Sequence, residues 1–296
     1  MNIEDQITIL KKLGDGTFAI TYLIQNNRGE RLAMKVIDME DLTKQRLNIN
    51  FILNEIQTLI SLSSVPNIIH YHSHCCGYFY GRETMVIFSD YIEGITLDQY
   101  IQDYIKLNKP PIFKRIINYM LCTHISSKPL PPRQLIKYMK QLLIALVHVH
   151  QIGFAHCDIK PENIIYDTQN DRMILIDFGL ACSHRFINIT GSPFWMPPEL
   201  FSANPPRSLI AAQAHDIWSL GLVFYELANF KLPYDDTMTE DRSELGQILE
   251  GPFESSEYSG NLRYDNKINY MIEQMLTKNW KNRPLAAKLL QYINSW

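Results

Sequence analysis

The stretch from His156 to Gly179 restricts this chain more than any other. It opens with His156-Cys157-Asp158-Ile159-Lys160-Pro161-Glu162-Asn163 and closes with Asp177-Phe178-Gly179. Between them, Met173-Ile174-Leu175-Ile176 is a short apolar run that predicts a buried strand. An acid, a lysine two residues later and an asparagine three beyond that suit phosphoryl transfer. Asp158 can accept a hydroxyl proton, Lys160 can neutralise a transferring phosphate, and Asn163 with Asp177 can hold Mg²⁺. A chance string in another α/β enzyme is the competing explanation, so the order of features along the rest of the chain decides.

Toward the N-terminus, Leu13-Gly14-Asp15-Gly16-Thr17-Phe18-Ala19 lies between two segments with strand character. Glycines there let a hairpin backbone come close to phosphates. Leu32-Ala33-Met34-Lys35-Val36 follows as a strand-like run with one lysine, and Phe51 to Leu59 has helical spacing and carries Glu55. Downstream come Gly191-Ser192-Pro193-Phe194-Trp195-Met196-Pro197-Pro198-Glu199, then Asp216-Ile217-Trp218-Ser219-Leu220-Gly221, then Asn282-Arg283-Pro284. In this order, over nearly the whole chain, these motifs resemble the eukaryotic-type protein kinase family, and Lys160 resembles its serine/threonine type.

The resemblance implies an α+β fold of two lobes, a small β-rich N-lobe with one key helix and a larger, mainly helical C-lobe. One domain would fill residues 1–296, with the N-lobe at 1–89, a hinge at 90–94 and the C-lobe at 95–296. The implied activity is transfer of the γ-phosphate of ATP to serine or threonine hydroxyls of a protein, with ATP and Mg²⁺ as cofactors. Lys35 would hold the α- and β-phosphates, with Glu55 orienting it. Asp158 would be the base, Lys160 would sit at the γ-phosphate, and Asn163 and Asp177 would bind the metal. The nucleotide would lie against Leu13, Gly14, Asp15, Gly16, Thr17, Phe18, Ala19, Thr21, Ala33, Lys35, Ser89, Asp90, Ile92 and Ile165. His156 and Phe178 would belong to a spine aligning the lobes, with Leu59 and Tyr71 above and Asp216 beneath. Glu199 is expected to pair with Arg283. A pseudokinase that scaffolds a protein partner is the alternative reading.

Several positions depart from the family's pattern. Ala19 replaces the third glycine of the loop, and Thr21 stands where an apolar residue is expected. Cys157 replaces an arginine that, in the family, pairs with a phosphorylated residue of the activation loop. The hydroxyls between Asp177 and Glu199 are Ser183, Thr190 and Ser192. Ser192 aligns with a hydroxyl that contacts the catalytic aspartate and lysine. Counting back from the hinge places Ser89 at the back of the nucleotide pocket, where the family carries larger residues. A slip of one residue would put Phe88 there instead.

Residues 106–133 form an insert longer than the family's usual connection, bracketed by Pro110-Pro111 and Pro129-Leu130-Pro131-Pro132. Within it, Ile112, Phe113, Ile116, Ile117, Met120 and Leu121 make one apolar helical face. That face suits either packing on the C-lobe or docking of a partner or substrate. His70-Tyr71-His72-Ser73-His74-Cys75-Cys76 invites a metal assignment, because alternation puts His70, His72, His74 and Cys76 on one strand face. His70 and His74 would then stand roughly 13 Å apart, too far for one ion in a straight strand, which favours a solvated face.

The net charge of −3 argues against nucleic acid as the main partner. Ile217 to Phe230 is the longest apolar stretch; it is too short to span a bilayer and predicts a buried helix. Five cysteines, scattered but for one adjacent pair, and no secretory start predict an intracellular, cytoplasmic setting, with nucleus or host cell left open.

Overall fold

The computed structural model describes residues 2–16, 19–40, 49–107, 130–184, 190–234, 242–250 and 266–296. Thr17 and Phe18, and the apolar run from Ile112 to Leu121 expected to be helical, lie outside these residues.

The N-terminal part, rich in Ile, Leu, Tyr, Val and Phe, builds five strands: β1 (Ile7–Asp15), β2 (Ala19–Asn26), β3 (Arg31–Asp38), β4 (Tyr71–Phe79) and β5 (Arg82–Asp90). They form one antiparallel sheet in the order β1-β2-β3-β5-β4. One face carries Ile24, Met34, Val36, Phe79 and Val86, closed over by Ile3. The other carries Ile37, Met85 and Ile87, which pack on Ile52, Ile56 and Leu59 of helix α1 (Asn50–Ser61). Those three recur at i, i+4 and i+7, so one stripe of the helix meets the sheet.

Strand β5 runs on through Asp90, and β6 (Gly94–Thr96) begins the larger lobe. A Cβ on Gly94 would lie 2.2 Å from the Tyr166 carbonyl oxygen, so only glycine lets the chain cross so close here. Helix α2 (Leu97–Leu107) follows. Helix α3 (Pro132–Gln151) opens on a proline, whose missing N–H costs nothing in a first turn. Short strands β7 (Phe154–Ala155), β8 (Ile164–Asp167), β9 (Arg172–Leu175) and β10 (Cys182–Ser183) carry the chain through the motif-rich stretch. They pair as β6-β8-β9 and as β7 with β10.

Helix α4 (Leu209–Asn229) is capped by Ser208, whose Oγ accepts from the Ala211 N–H at 3.1 Å, and it ends at left-handed Phe230. It is buried almost all round, including Trp218, Leu220, Leu222, Val223 and Phe224, as a helix without a polar face must be. Helices α5 (Arg242–Glu250), α6 (Asn266–Met275) and α7 (Ala286–Asn294) complete the C-lobe. One continuous core runs from Ile52 of α1 through Phe178 to Ile293 of α7. This is the two-lobed α+β architecture expected from the sequence. No helix among the described residues is long and apolar enough to cross a membrane.

The histidine run corrects a sequence expectation. A bulge between Tyr71 and Ser73 adds a residue to β4. Side-chain parity flips there, so His74 joins Tyr71, whose hydroxyl meets His74 Nδ1 at 2.6 Å. His70 and His72 lie together instead against Asp90, at 3.7 and 2.6 Å from its Oδ1.

Candidate active site

The stretch that opened the sequence reading is held from beneath by one carboxylate. Asp216, fully buried in α4, accepts the backbone N–H of His156 at 2.8 Å and of Cys157 at 2.7 Å, with His150 Nε2 at 2.9 Å. Burial alone would raise its pKa, but the His150 bond and the neighbouring histidines outweigh this and lower it. His156 Nε2 meets the Ile176 carbonyl at 2.9 Å, and its ring lies 4.7 Å from that of buried Phe178. The two motifs are thereby locked together. Cys157 and Asp177 both have left-handed backbones, φ 65 and 59, a conformation that non-glycine residues keep only where their surroundings enforce it.

Asp158 stands at the centre of a polar knot. Its Oδ1 accepts the Ser192 N–H and hydroxyl, each at 2.9 Å, and its Oδ2 accepts Asn163 Nδ2 at 2.9 Å. Lys160 Nζ lies 3.1 Å from Asp158 Oδ2 and donates to Ser192 Oγ at 2.6 Å. Ser192 therefore takes the bridging position that its alignment implied. Asn163 also donates to the Asp158 carbonyl at 2.8 Å, so its amide nitrogen is committed to Asp158. Its own carbonyl accepts the Ile176 N–H at 2.9 Å, which sets Asn163 beside the strand leading to Asp177.

The second cluster joins three elements. Lys35 on β3 donates to Glu55 Oε1 on α1 at 2.6 Å and to Asp177 Oδ1 at 2.8 Å. The Lys35 ammonium is the main reason that the Asp177 carboxyl is drawn down to about 2. Burial works against the lysine's charge, yet Asp177 and Glu55 together hold its pKa above the usual value. Burial, helped by the Asp177 charge, pushes Glu55 up against the pull of Lys35. Gly179 makes the knot possible, since a Cβ there would come within 3.2 Å of Asp177 Oδ1 and 3.3 Å of Lys35 Nζ.

Strand register sorts the other expected contacts. Thr21 pairs with Lys35, and Ala33 with Ser89. Residues opposite each other share a face, so Thr21, Ala33, Lys35 and Ser89 all face the same way. Phe88 falls on the opposite face, against the cluster of Met34 and Val86. Ile92 and Ile165 are half-buried against the main core, and the Asp90 N–H donates to the His70 carbonyl at 3.0 Å. Leu13, Gly14 and Asp15 end β1 and Ala19 opens β2, with the Gly16 N–H bonded to the Ala19 carbonyl at 2.9 Å. Among the described residues, no heavy atom beyond its chain neighbours lies within 4 Å of where a Gly14 Cβ would project. Asp15 is paired with Lys12 at 2.5 Å.

Two features were missed from sequence. Asn54, buried beside Glu55, donates to the Ala181 carbonyl at 2.5 Å and accepts the Ser183 hydroxyl at 3.2 Å, tying α1 to the segment after Gly179. An asparagine on a buried face of an apolar helix was the available signal. Cys157 is sealed among Ala155, Cys182, Leu209 and Ala212. Its contact with the Cys182 thiol, together with burial, pushes its own thiol pKa up. Further out, Arg283 forms a two-pronged bridge to Glu199 at 2.6 and 2.7 Å, as expected.

Comparison with known proteins points the same way. The family model described as "Protein kinase domain" matches residues 7–293. The chain is 26% identical over 98% of its length to human "Mitogen-activated protein kinase kinase kinase kinase 3", covering 29% of that protein. It is 28% identical over 95% of its length to "Mitogen-activated protein kinase kinase kinase 3" of Arabidopsis thaliana, covering 41%. To "Serine/threonine-protein kinase Nek8" of Danio rerio it is 29% identical over 95% of its length, covering 36%. The chain thus spans well under half the length of these relatives.

Proposed function

We propose, since this chain belongs to the protein kinase family, that it transfers the γ-phosphate of ATP to serine or threonine hydroxyls of proteins. The observation that carries this reading is the simultaneous closure of both polar knots, Lys35 with Glu55 and Asp177, and Asp158 with Lys160, Asn163 and Ser192. An acid, two cations and two groups able to ligate a metal, gathered in this way, support a reading as phosphoryl-transfer machinery.

The residues present fit a magnesium nucleotide. Asp177 keeps its charge down to about pH 2 and Asn163 offers an amide oxygen, the hard oxygen donors that Mg²⁺ requires. Bound there, the ion would neutralise charge on the β- and γ-phosphates. Lys35 would hold the α- and β-phosphates while Glu55 fixes its ammonium. Asp158 would orient the acceptor hydroxyl and take its proton, and Lys160 would stabilise charge on the moving phosphoryl group. The nucleotide itself would lie under Leu13, Gly14, Asp15, Gly16 and Ala19, against Thr21, Ala33, Ser89, Ile92 and Ile165, with Asp90 opening the 90–94 hinge. Thr17 and Phe18 belong to the same loop by sequence.

A phosphate-independent active arrangement goes with Cys157. Where the family's arginine would read a loop phosphate, this chain has an apolar plug, and neutral bonds from Asn54 hold the segment instead. The 106–133 insert is proposed as a docking surface from its sequence pattern alone. Free thiols among the described cysteines accord with the reducing, intracellular setting we propose.

Incubating the protein with labelled ATP, Mg²⁺ and a mixed peptide library tests the reading. Label on serine or threonine is the expected result. Nucleotide binding without any transfer would instead establish a pseudokinase scaffold.

A further inference from the structure

Among the described residues, one group apart from the two polar knots gathers three metal-ligating side chains: His70, His72 and Asp90, whose ligand atoms all lie within 4.8 Å of one another. The arrangement follows from the backbone. The Asp90 N–H to His70 carbonyl bond, 3.0 Å, sets the end of β5 beside the residue that precedes β4. His70 and His72 are two residues apart and turn to the same side, with ring centroids 5.1 Å apart and planes near perpendicular. The Asp90 carboxylate lies between them, 2.6 Å from His72 Nε2 and 3.7 Å from His70 Nδ1. The bulge after Tyr71 removes His74 to the other face, which leaves a compact group in place of the spread-out row that alternation implied.

We propose that this group is a zinc site, with two imidazole nitrogens and one carboxylate oxygen as protein ligands and water completing a tetrahedron. Nitrogen and oxygen donors in that number suit Zn²⁺, which accepts three protein ligands plus water. Bonds of about 2.1 Å in a tetrahedron place ligand atoms about 3.4 Å apart. Small rotations of three side chains, each between a third and a half exposed, close the remaining distance without moving the strands. A strand ladder supplies a rigid base for such a site, and the ion would join the start of β4 to the last residue of β5. The ordinary ion pair between His72 and Asp90 is the competing account, and it needs neither His70 nor a metal.

The test titrates Zn²⁺ into metal-free full chain in competition with a chromophoric chelator, comparing wild type with His70→Ala, His72→Ala and His74→Ala. One equivalent should bind, and either His70→Ala or His72→Ala should weaken it at least about tenfold, the scale on which zinc sites respond even to outer-shell loss. His74→Ala should leave affinity unchanged, since that ring lies on the other face. Co²⁺ in place of zinc should give the intense visible bands of a four-coordinate ion, again lost in both variants. Absence of stoichiometric binding would overturn the proposal. So would equal affinity in wild type and the His70→Ala and His72→Ala variants.

Discussion

His215 makes the stability of this fold depend on pH. It is buried in α4, its Nδ1 has no hydrogen-bond partner among the described residues, and burial draws its pKa from the ordinary 6.5 to about 4. Arg283 and His156 add to the depression, while Asp216 and Asp158 oppose it. The sign is fixed by proton counting. Between pH 6.5 and about 4 the unfolded chain binds a proton that the folded chain refuses, so stability falls as pH drops through that window. At 1.36 kcal/mol per pH unit the full loss is roughly 3 kcal/mol, of which roughly 2 accrues between pH 7 and pH 5. His215→Leu keeps similar volume and cannot titrate. Urea unfolding of both proteins at pH 7 and pH 5 isolates the effect, because groups that do not interact with His215 cancel in the difference between them. The wild type should lose roughly 2 kcal/mol more than the variant on going from pH 7 to pH 5. An equal loss in both would mean that His215 accepts its proton inside the fold, refuting the reasoning.

Three further outcomes follow from the site. Asp158→Asn and Asp177→Asn should each abolish detectable transfer, the first by removing a base worth on the order of 10²–10⁴ in rate; only Asp177→Asn should weaken Mg²⁺-dependent nucleotide binding, and near-wild-type turnover in either would contradict its role. Phosphatase-treated enzyme should be as active as untreated enzyme, and a large drop restored by rephosphorylating Thr190 or Ser183 would show that Cys157 does not free the segment from phosphate control. Ser89→Met should cost ATP-competitive inhibitors with a bulky aromatic group at least ~1 kcal/mol through steric clash, with ATP affinity nearly unchanged; equal inhibitor affinity would mean that position 89 does not guard the pocket.

The architecture was legible because its signals are local. The strand-like runs, the helical spacing around Glu55 and the apolarity of Ile217 to Phe230 could be read locally, and the resemblance carried by the order of the motifs supplied the two-lobed fold. Convergence of Lys35, Glu55 and Asp177 was legible only through family resemblance, since nothing in residue spacing brings β3, α1 and the end of β9 together. The β4 bulge was not legible. An inserted residue changes which face each side chain takes without changing composition, and both readings of His70 to Cys76 leave polar groups at the surface. Asn54 was overlooked for a related reason: its value comes from the Ala181 carbonyl and Ser183 hydroxyl, far away in sequence.

The Asp216 anchor has a consequence for how the catalytic loop breathes. Loop amides usually exchange their protons quickly because small local excursions expose them. Those of His156 and Cys157 end on a carboxylate with no solvent exposure, on a helix packed on every side. They can meet water only when the loop parts from α4, an opening that uproots the centre of the C-lobe. The amides of the two residues before Asp158 should therefore exchange with the slowest protons of the C-lobe core, so that the loop shares the rigidity of the helix beneath it.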